Sequence, residues 1–204
     1  MRSRVPFASA VLLGLLAVVA RPAQAQTPDR RGDVSVQVAV RSLNEFDETE
    51  TAFGARLSYR LSRWLAADGE VNSFPGDVGA APFSRARREG LAGVRGGPHL
   101  GRTGVYLALR GGAVRFSEAP APFACIAIFP PPLVCTLADG ETVPTVQLTG
   151  GFEVFPRDRI VVRVEAGDQL LRFSGPVFTA DREVRENGFW SHNIKATASV
   201  GLRF

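Results

Sequence analysis

Apolar and polar side chains alternate along this chain in eight separate runs. A period of two puts the two sets on opposite faces of a β-strand. Asp33–Arg41 sets Val34, Val36, Val38 and Val40 against Ser35, Gln37 and Arg41. Thr51–Leu61 sets Phe53, Ala55, Leu57, Tyr59 and Leu61 against Gly54, Arg56, Ser58 and Arg60. Trp64–Asn72 opposes Leu65, Ala67 and Val71 to Asp68, Glu70 and Asn72. Arg88–Gly96 is a weaker run, with Ala92 and Val94 on one side and Glu89 and Arg95 on the other. Thr103–Phe116 pits Val105, Leu107 and Leu109 against Tyr106, Ala108 and Arg110, and Val143–Phe155 pits Val146, Leu148, Phe152 and Val154 against Gln147, Thr149 and Glu153. In Arg159–Phe173, Val162, Val164 and Ala166 face away from Arg163, Glu165 and Gln169. The cleanest run is the last, His192–Phe204, where every even position from Ile194 to Phe204 is apolar and Lys195, Thr197, Ser199, Gly201 and Arg203 interleave. Helical periodicity is scarce. After the N-terminal segment no stretch of eighteen apolar residues occurs, which excludes a transmembrane helix.

The connections alternate in length. Runs two and three, four and five, and six and seven are separated by a few residues. The other connections, Ser42–Glu50, Ser73–Arg87, Ser117–Thr142 and Ser174–Ser191, are long. Eight antiparallel strands with both termini at one end would gather three short turns there and four long loops at the other end. That is the layout of a spanning barrel with short periplasmic turns and long external loops. A sheet crossing hydrocarbon must close on itself, because each unpaired backbone group at an open edge costs several kcal/mol.

Charge sharpens the orientation. Arg56, Arg60, Asp68, Glu70, Glu89, Arg95, Arg110, Glu153, Arg163, Glu165, Lys195 and Arg203 all occupy the polar parity. On a lipid face near the midplane an Arg or Lys costs about 2–4 kcal/mol. Inside an eight-stranded lumen, which side chains fill, the same charges must be paired. The prediction is a lumen salt-bridge network that plugs the barrel, favoured over a proton or ion path because an eight-stranded lumen leaves little free bore. Parity alone also permits the reverse, a soluble periplasmic lipocalin-like barrel with its Val rows inward around an apolar ligand. The turn and loop alternation, the strand lengths and the terminal Phe favour the membrane form. Arg115 and Asp168 sit on the nominal lipid parity, near strand ends where the cost falls to about 0–1 kcal/mol; a bulge could also re-aim them. Tyr59, Trp64, Phe116, Phe155, Phe173 and Phe204 near strand ends are read as interfacial girdles.

The N-terminus names a compartment. Arg2 and Arg4 precede an apolar stretch, Ala8–Ala20, and Ala23-Gln24-Ala25 offers a small-x-small cleavage site. This is the layout of a secretory signal peptide, so residues 1–25 are expected to be removed and 26–204 to form one domain. Removal takes three of the 24 basic side chains and none of the 20 acidic ones, so the net charge falls from +4 to +1. The basic pI of the whole chain is therefore no argument for a nucleic-acid partner.

Two segments carry a family likeness: Arg163-Val-Glu-Ala-Gly-Asp-Gln-Leu-Leu-Arg-Phe173 and His192-Asn through Gly201-Leu-Arg-Phe204. The chain resembles the small eight-stranded outer-membrane β-barrels of the OmpA/OmpX and opacity-porin type. The resemblance implies an all-β, up-and-down transmembrane barrel in the bacterial cell outer membrane. It also implies a monomer in contact with outer-membrane lipid and lipopolysaccharide, and a terminal Phe204 read by the barrel assembly machinery as an assembly signal. It implies no activity and no cofactor.

The loops hold what remains. Cys125 and Cys135, the only cysteines, flank an apolar, proline-stiffened segment. In an exported chain they are expected to form a disulfide worth about 2–3 kcal/mol. Their loop is either a contact surface for a partner or a lid over the barrel mouth. Two cysteines are too few for a structural zinc site. Arg85, Arg87 and Arg88 form a candidate anion-binding loop for phosphates of lipopolysaccharide. Glu45, Asp47, Glu48 and Glu50 in the first loop lack ordered metal-ligand spacing and read as solvated. Ser191 and His192 are adjacent on a strand and point to opposite faces, which makes a poor dyad. Asp168 or Glu186 could approach His192, so a lipid-modifying hydrolase is the enzymatic alternative.

Overall fold

A computed structural model describes residues 30–46, 48–75, 86–118, 128–138, 140–179 and 183–204. The expected signal peptide, its boundary at residue 25, Asp47, Arg85 and Cys125 lie outside the described residues.

Eight long strands form the wall: β1 Gly32–Leu43, β2 Glu48–Arg60, β3 Leu65–Phe74, β4 Arg87–Gly96, β5 Thr103–Phe116, β6 Thr142–Arg157, β7 Ile160–Phe173 and β8 Phe189–Arg203. Each is antiparallel to the strand before and after it, and β1 pairs with β8 from Asp33↔Arg203 to Arg41↔Lys195. That last ladder turns a meander into a closed barrel and removes both sheet edges. At the terminal end the connections are tight. Ser62 Oγ accepts from the Trp64 and Leu65 amides, Gly101 takes φ 64° in the second turn, and β6 carries a bulge between Val154 and Arg157 before the third.

The wall has two chemically opposite faces. Val36 is 65 % exposed, and Leu107, Val164, Val200 and Leu202 point outward with it. Arg41, Arg56, Arg110, Arg163 and Lys195 are fully buried. Val164 and Val200 outside, with Arg163 and Lys195 inside, is the reverse of the arrangement a lipocalin-like barrel requires, so that alternative falls. An outer face of aliphatic rows is stable where the surroundings are apolar too.

Three of the expected girdle aromatics are not on the outer face. Phe116, Phe155 and Phe173 are buried inside the barrel, while Tyr59, Trp64 and Phe204 are exposed. The strand period already required this, since Phe116 shares parity with Arg110, Phe155 with Glu153 and Phe173 with Gln169. Position along a strand does not choose the face; parity does.

The loop end closes over an apolar cluster. Leu43, Val114, Phe116, Val143, Leu171 and Phe173 line the upper lumen. A short helix, α1 Leu133–Ala138, lowers Leu133 and Leu137 onto them from the third loop. Pro130, Pro131 and Pro132 precede α1, where a missing amide costs a helix nothing. The Phe178 amide donates to the Pro131 carbonyl at 3.0 Å, which ties α1 to the small hairpin Val177–Phe178/Val184–Arg185 of the fourth loop. Leu133 and Leu137 of the third loop pack into this apolar cluster, while Phe129 before them stays exposed.

Candidate functional site

Below the apolar mouth the lumen is filled by charge, and its geometry follows from strands that are distant in sequence. Glu165 on β7 is the central acceptor. Its carboxylate receives both terminal nitrogens of Arg56 and both of Arg110, and the Tyr106 hydroxyl donates to it at 3.0 Å. Arg110 also grips Asp68, with its Nε at 2.9 Å, and Asp68 accepts from Ser58 at 2.8 Å. Tyr106 can lie flat across the wall because its cross-strand partner is Gly151. A Cβ there would stand 2.4 Å from the ring.

Toward the loop end, Lys195 bridges Glu70, at 2.7 Å, and Glu89. Asn72 donates to both carboxylates, and Gln169 donates to Glu89 at 2.6 Å. Arg41 extends the chain to Glu89 and Glu50, lying 4.1 Å over the Phe74 ring. Arg87 continues it from Glu50 to Glu48. Toward the terminal end, Arg163 makes a bidentate pair with Asp33 at 2.6–2.7 Å and reaches Glu153 at 2.9 Å. Arg95 joins Glu153 at 2.7 Å, and His99 Nε2 meets the same carboxylate at 2.6 Å. The Arg95 guanidinium lies 5.2 Å over Tyr106, which links the lower cluster to the Glu165 centre.

Ten of the twelve residues expected in this network are in it: Arg56, Asp68, Glu70, Glu89, Arg95, Arg110, Glu153, Arg163, Glu165 and Lys195. The other two are placed differently. Arg60 is half-buried at the rim, and Arg203 is buried over the Phe155 ring at 4.3 Å. Among the described residues neither makes an ion pair. Both sit at strand ends, where the carboxylates of Asp33 and Glu153 are already held by Arg163, Arg95 and His99.

The sequence reading missed Asp33, Arg41, Glu50, Arg87, Tyr106 and His99 as members. Glu48 and Glu50 belong to β2 rather than to a solvated loop, and their even parity turns them inward with Arg56. Arg87 and Arg88 are adjacent on β4 and therefore face opposite ways. Arg87 is buried against Glu50, and Arg88 is exposed outside. The proposed anion-binding loop is thus split across the wall, and its third member, Arg85, is outside the described residues.

The hydrolase candidates separate in the same way. Ser191 is buried in the lumen, whereas His192 is on the outer face, where its Nδ1 meets Asp168 at 2.6 Å. The nucleophile and the imidazole stand on opposite sides of the sheet. No bulge re-aims Asp168 or Arg115. Both keep their outward parity, and Arg115 donates to Thr142 at 3.1 Å. Among the described residues no three His, Cys, Asp or Glu side chains cluster as metal ligands.

No family model matches this chain, and no curated protein matches it. Solved structures do. Neisserial surface protein A superposes with a TM-score of 0.55 at 13% identity, covering 85% of this chain and 97% of that one. The N-terminal β-barrel domain of Pseudomonas aeruginosa OprF superposes at 0.50 with 9% identity, covering 86% and 100%. The chain has the fold of the small eight-stranded outer-membrane barrels.

Proposed function

We propose that this chain is an integral, non-enzymatic protein of the bacterial outer membrane, exported by residues 1–25 and assembled as a barrel from its terminal strand and Phe204. The observation that carries the reading is the wall itself: aliphatic rows outside and interlocked Arg–carboxylate chains inside. Water-exposed aliphatic rows on every strand would aggregate, and the same rows against acyl chains are at no disadvantage. The interior then acts as a plug. Glu165, Asp68 and Glu70 are each held by two or more partners, which leaves these three carboxylates unsuited to relaying an ion. The apolar lid above them excludes water from the mouth. A Cys125–Cys135 disulfide would hold the third loop over that mouth. Whatever specific role the protein has belongs to the displayed surface around the lid, with Phe129 at its edge.

The test is fractionation followed by electrophoresis with and without boiling. The protein should stay with outer membranes and change mobility on heating. Purified protein in planar bilayers should conduct nothing. Recovery in the soluble periplasm would overturn the membrane reading, and steady unitary currents would overturn the plug.

A further inference from the structure

The outer face carries a feature that neither the plug nor the lid uses. At its loop end a cross-strand row runs Ser73, Arg88, Arg115, Thr142 over β3 to β6. All four side chains are exposed. Arg88 and Arg115 are directly opposite each other, and like charges so placed repel. Among the described residues neither has a carboxylate partner; Arg115 has only the Thr142 hydroxyl. The row offers donors from side to side and no anion.

Directly below it the wall is hollow. The next row is Val71, Gly90, Ala113, and the one after is Gly69, Ala92, Gly111. The small side chains leave a groove of about 550 Å³ walled by Phe53 and Val71 and roofed by Arg88 and Arg115. A second hollow of about 750 Å³, sharing Val71 and Gly90, continues it toward the terminal end. A Cβ built on Gly90 meets nothing within 4 Å, so this space is open rather than packed.

We propose that this is a binding site for one phosphorylated glycolipid of the outer leaflet, a lipid A type molecule. Its phosphate sits between Arg88 and Arg115, and an acyl chain lies in the groove beneath. The proposal rests on the membrane reading above and names the lipid that the barrel holds. Charge complementarity selects the occupant. Two guanidiniums side by side match one phosphate in bidentate geometry. An apolar trough leading away from them matches a tail and not a soluble anion. The arginines lie at the loop end of the wall, which is the level of the outer-leaflet headgroups.

The experiment is native mass spectrometry of the detergent-extracted protein, titrated separately with bisphosphorylated lipid A, its dephosphorylated form and phosphatidylglycerol. The wild type should retain one bisphosphorylated lipid A, about tenfold more tightly than either other lipid. Arg88→Ala with Arg115→Ala should abolish that preference. Gly90→Leu, whose Cβ meets no protein atom within 4 Å and whose side chain would occupy the trough, should weaken retention of lipid A while the heat-dependent gel shift is unchanged. Equal retention of phosphorylated and dephosphorylated lipid A would overturn the proposal. So would equal retention of phosphatidylglycerol, or indifference to Gly90→Leu. If the double variant does not fold, Gly90→Leu and the dephosphorylated lipid decide the question by themselves. A wild type that shows no heat-dependent shift would count against the barrel reading instead.

Discussion

The middle of the lumen and its mouth fill the same cylinder by different means. Around Glu165 the contents are charges supplied by the strands themselves, from β2, β3, β5, β7 and β8. At the mouth the contents are apolar, and part of them comes from loops: Leu133 and Leu137 from α1, Val177 from the fourth loop and Phe46 from the first. Charges in a narrow space are directional and must each find a partner, so they demand a rigid frame that sets positions closely. Apolar side chains pack without direction and tolerate contributions from flexible connections. The difference teaches where each kind of filling can be placed: ion pairs where closure fixes the wall, hydrophobes where the wall ends and loops take over.

The comparison can be broken most sharply at its centre. Glu165→Leu leaves Arg56 and Arg110 facing each other without their shared acceptor. Unfolding in micelles followed by tryptophan fluorescence should show a loss of about 3–5 kcal/mol; an unmoved midpoint would mean the charges are not holding the middle together. Its neighbour Val164, on the other face, gives the complementary probe. Val164→Arg in a lipid bilayer should cost about 2–4 kcal/mol, and in the same assay a neutral result would place that position away from acyl chains. At the mouth, Leu137→Ala should cost about 2–3 kcal/mol through the cavity it leaves, while planar-bilayer current stays absent because the charged middle still blocks the bore. A double-mutant cycle on Asp33→Asn and Arg163→Met should return a coupling of about 1–3 kcal/mol, and strict additivity would deny the lower pair. The smallest effect is expected at the rim, where Arg115→Leu should shift stability by less than about 1 kcal/mol.

Much of this was legible residue by residue. Parity assigned Arg56, Glu70, Arg163 and Lys195 to the inside and Val164 and Val200 to the outside, because successive Cβ atoms on a strand leave it in opposite directions. The same rule already contained the inward turn of Phe116, Phe155 and Phe173, which the assignment of aromatics to girdles overrode. It also contained the split between Arg87 and Arg88, which proximity in sequence concealed. Glu50 was misplaced for another reason. Its acidic neighbours made the segment look like a loop, and only the guanidiniums of Arg41, its cross-strand partner on β1, and Arg87 on β4 make a carboxylate stable in a strand there.

The sequence by itself determined the faces, the count of strands and the alternation of turn with loop, since these depend on backbone geometry within a few residues. Only the tertiary structure decided that Glu165 is shared by Arg56 and Arg110, that Arg163 grips Asp33 from the far end of the chain, and that Arg88 stands beside Arg115. The first two meetings depend on the stagger at which β1 closes against β8, a property of the whole cylinder rather than of any strand in it; the third depends on the register of the neighbouring strands β4 and β5, where Arg88 falls opposite Arg115.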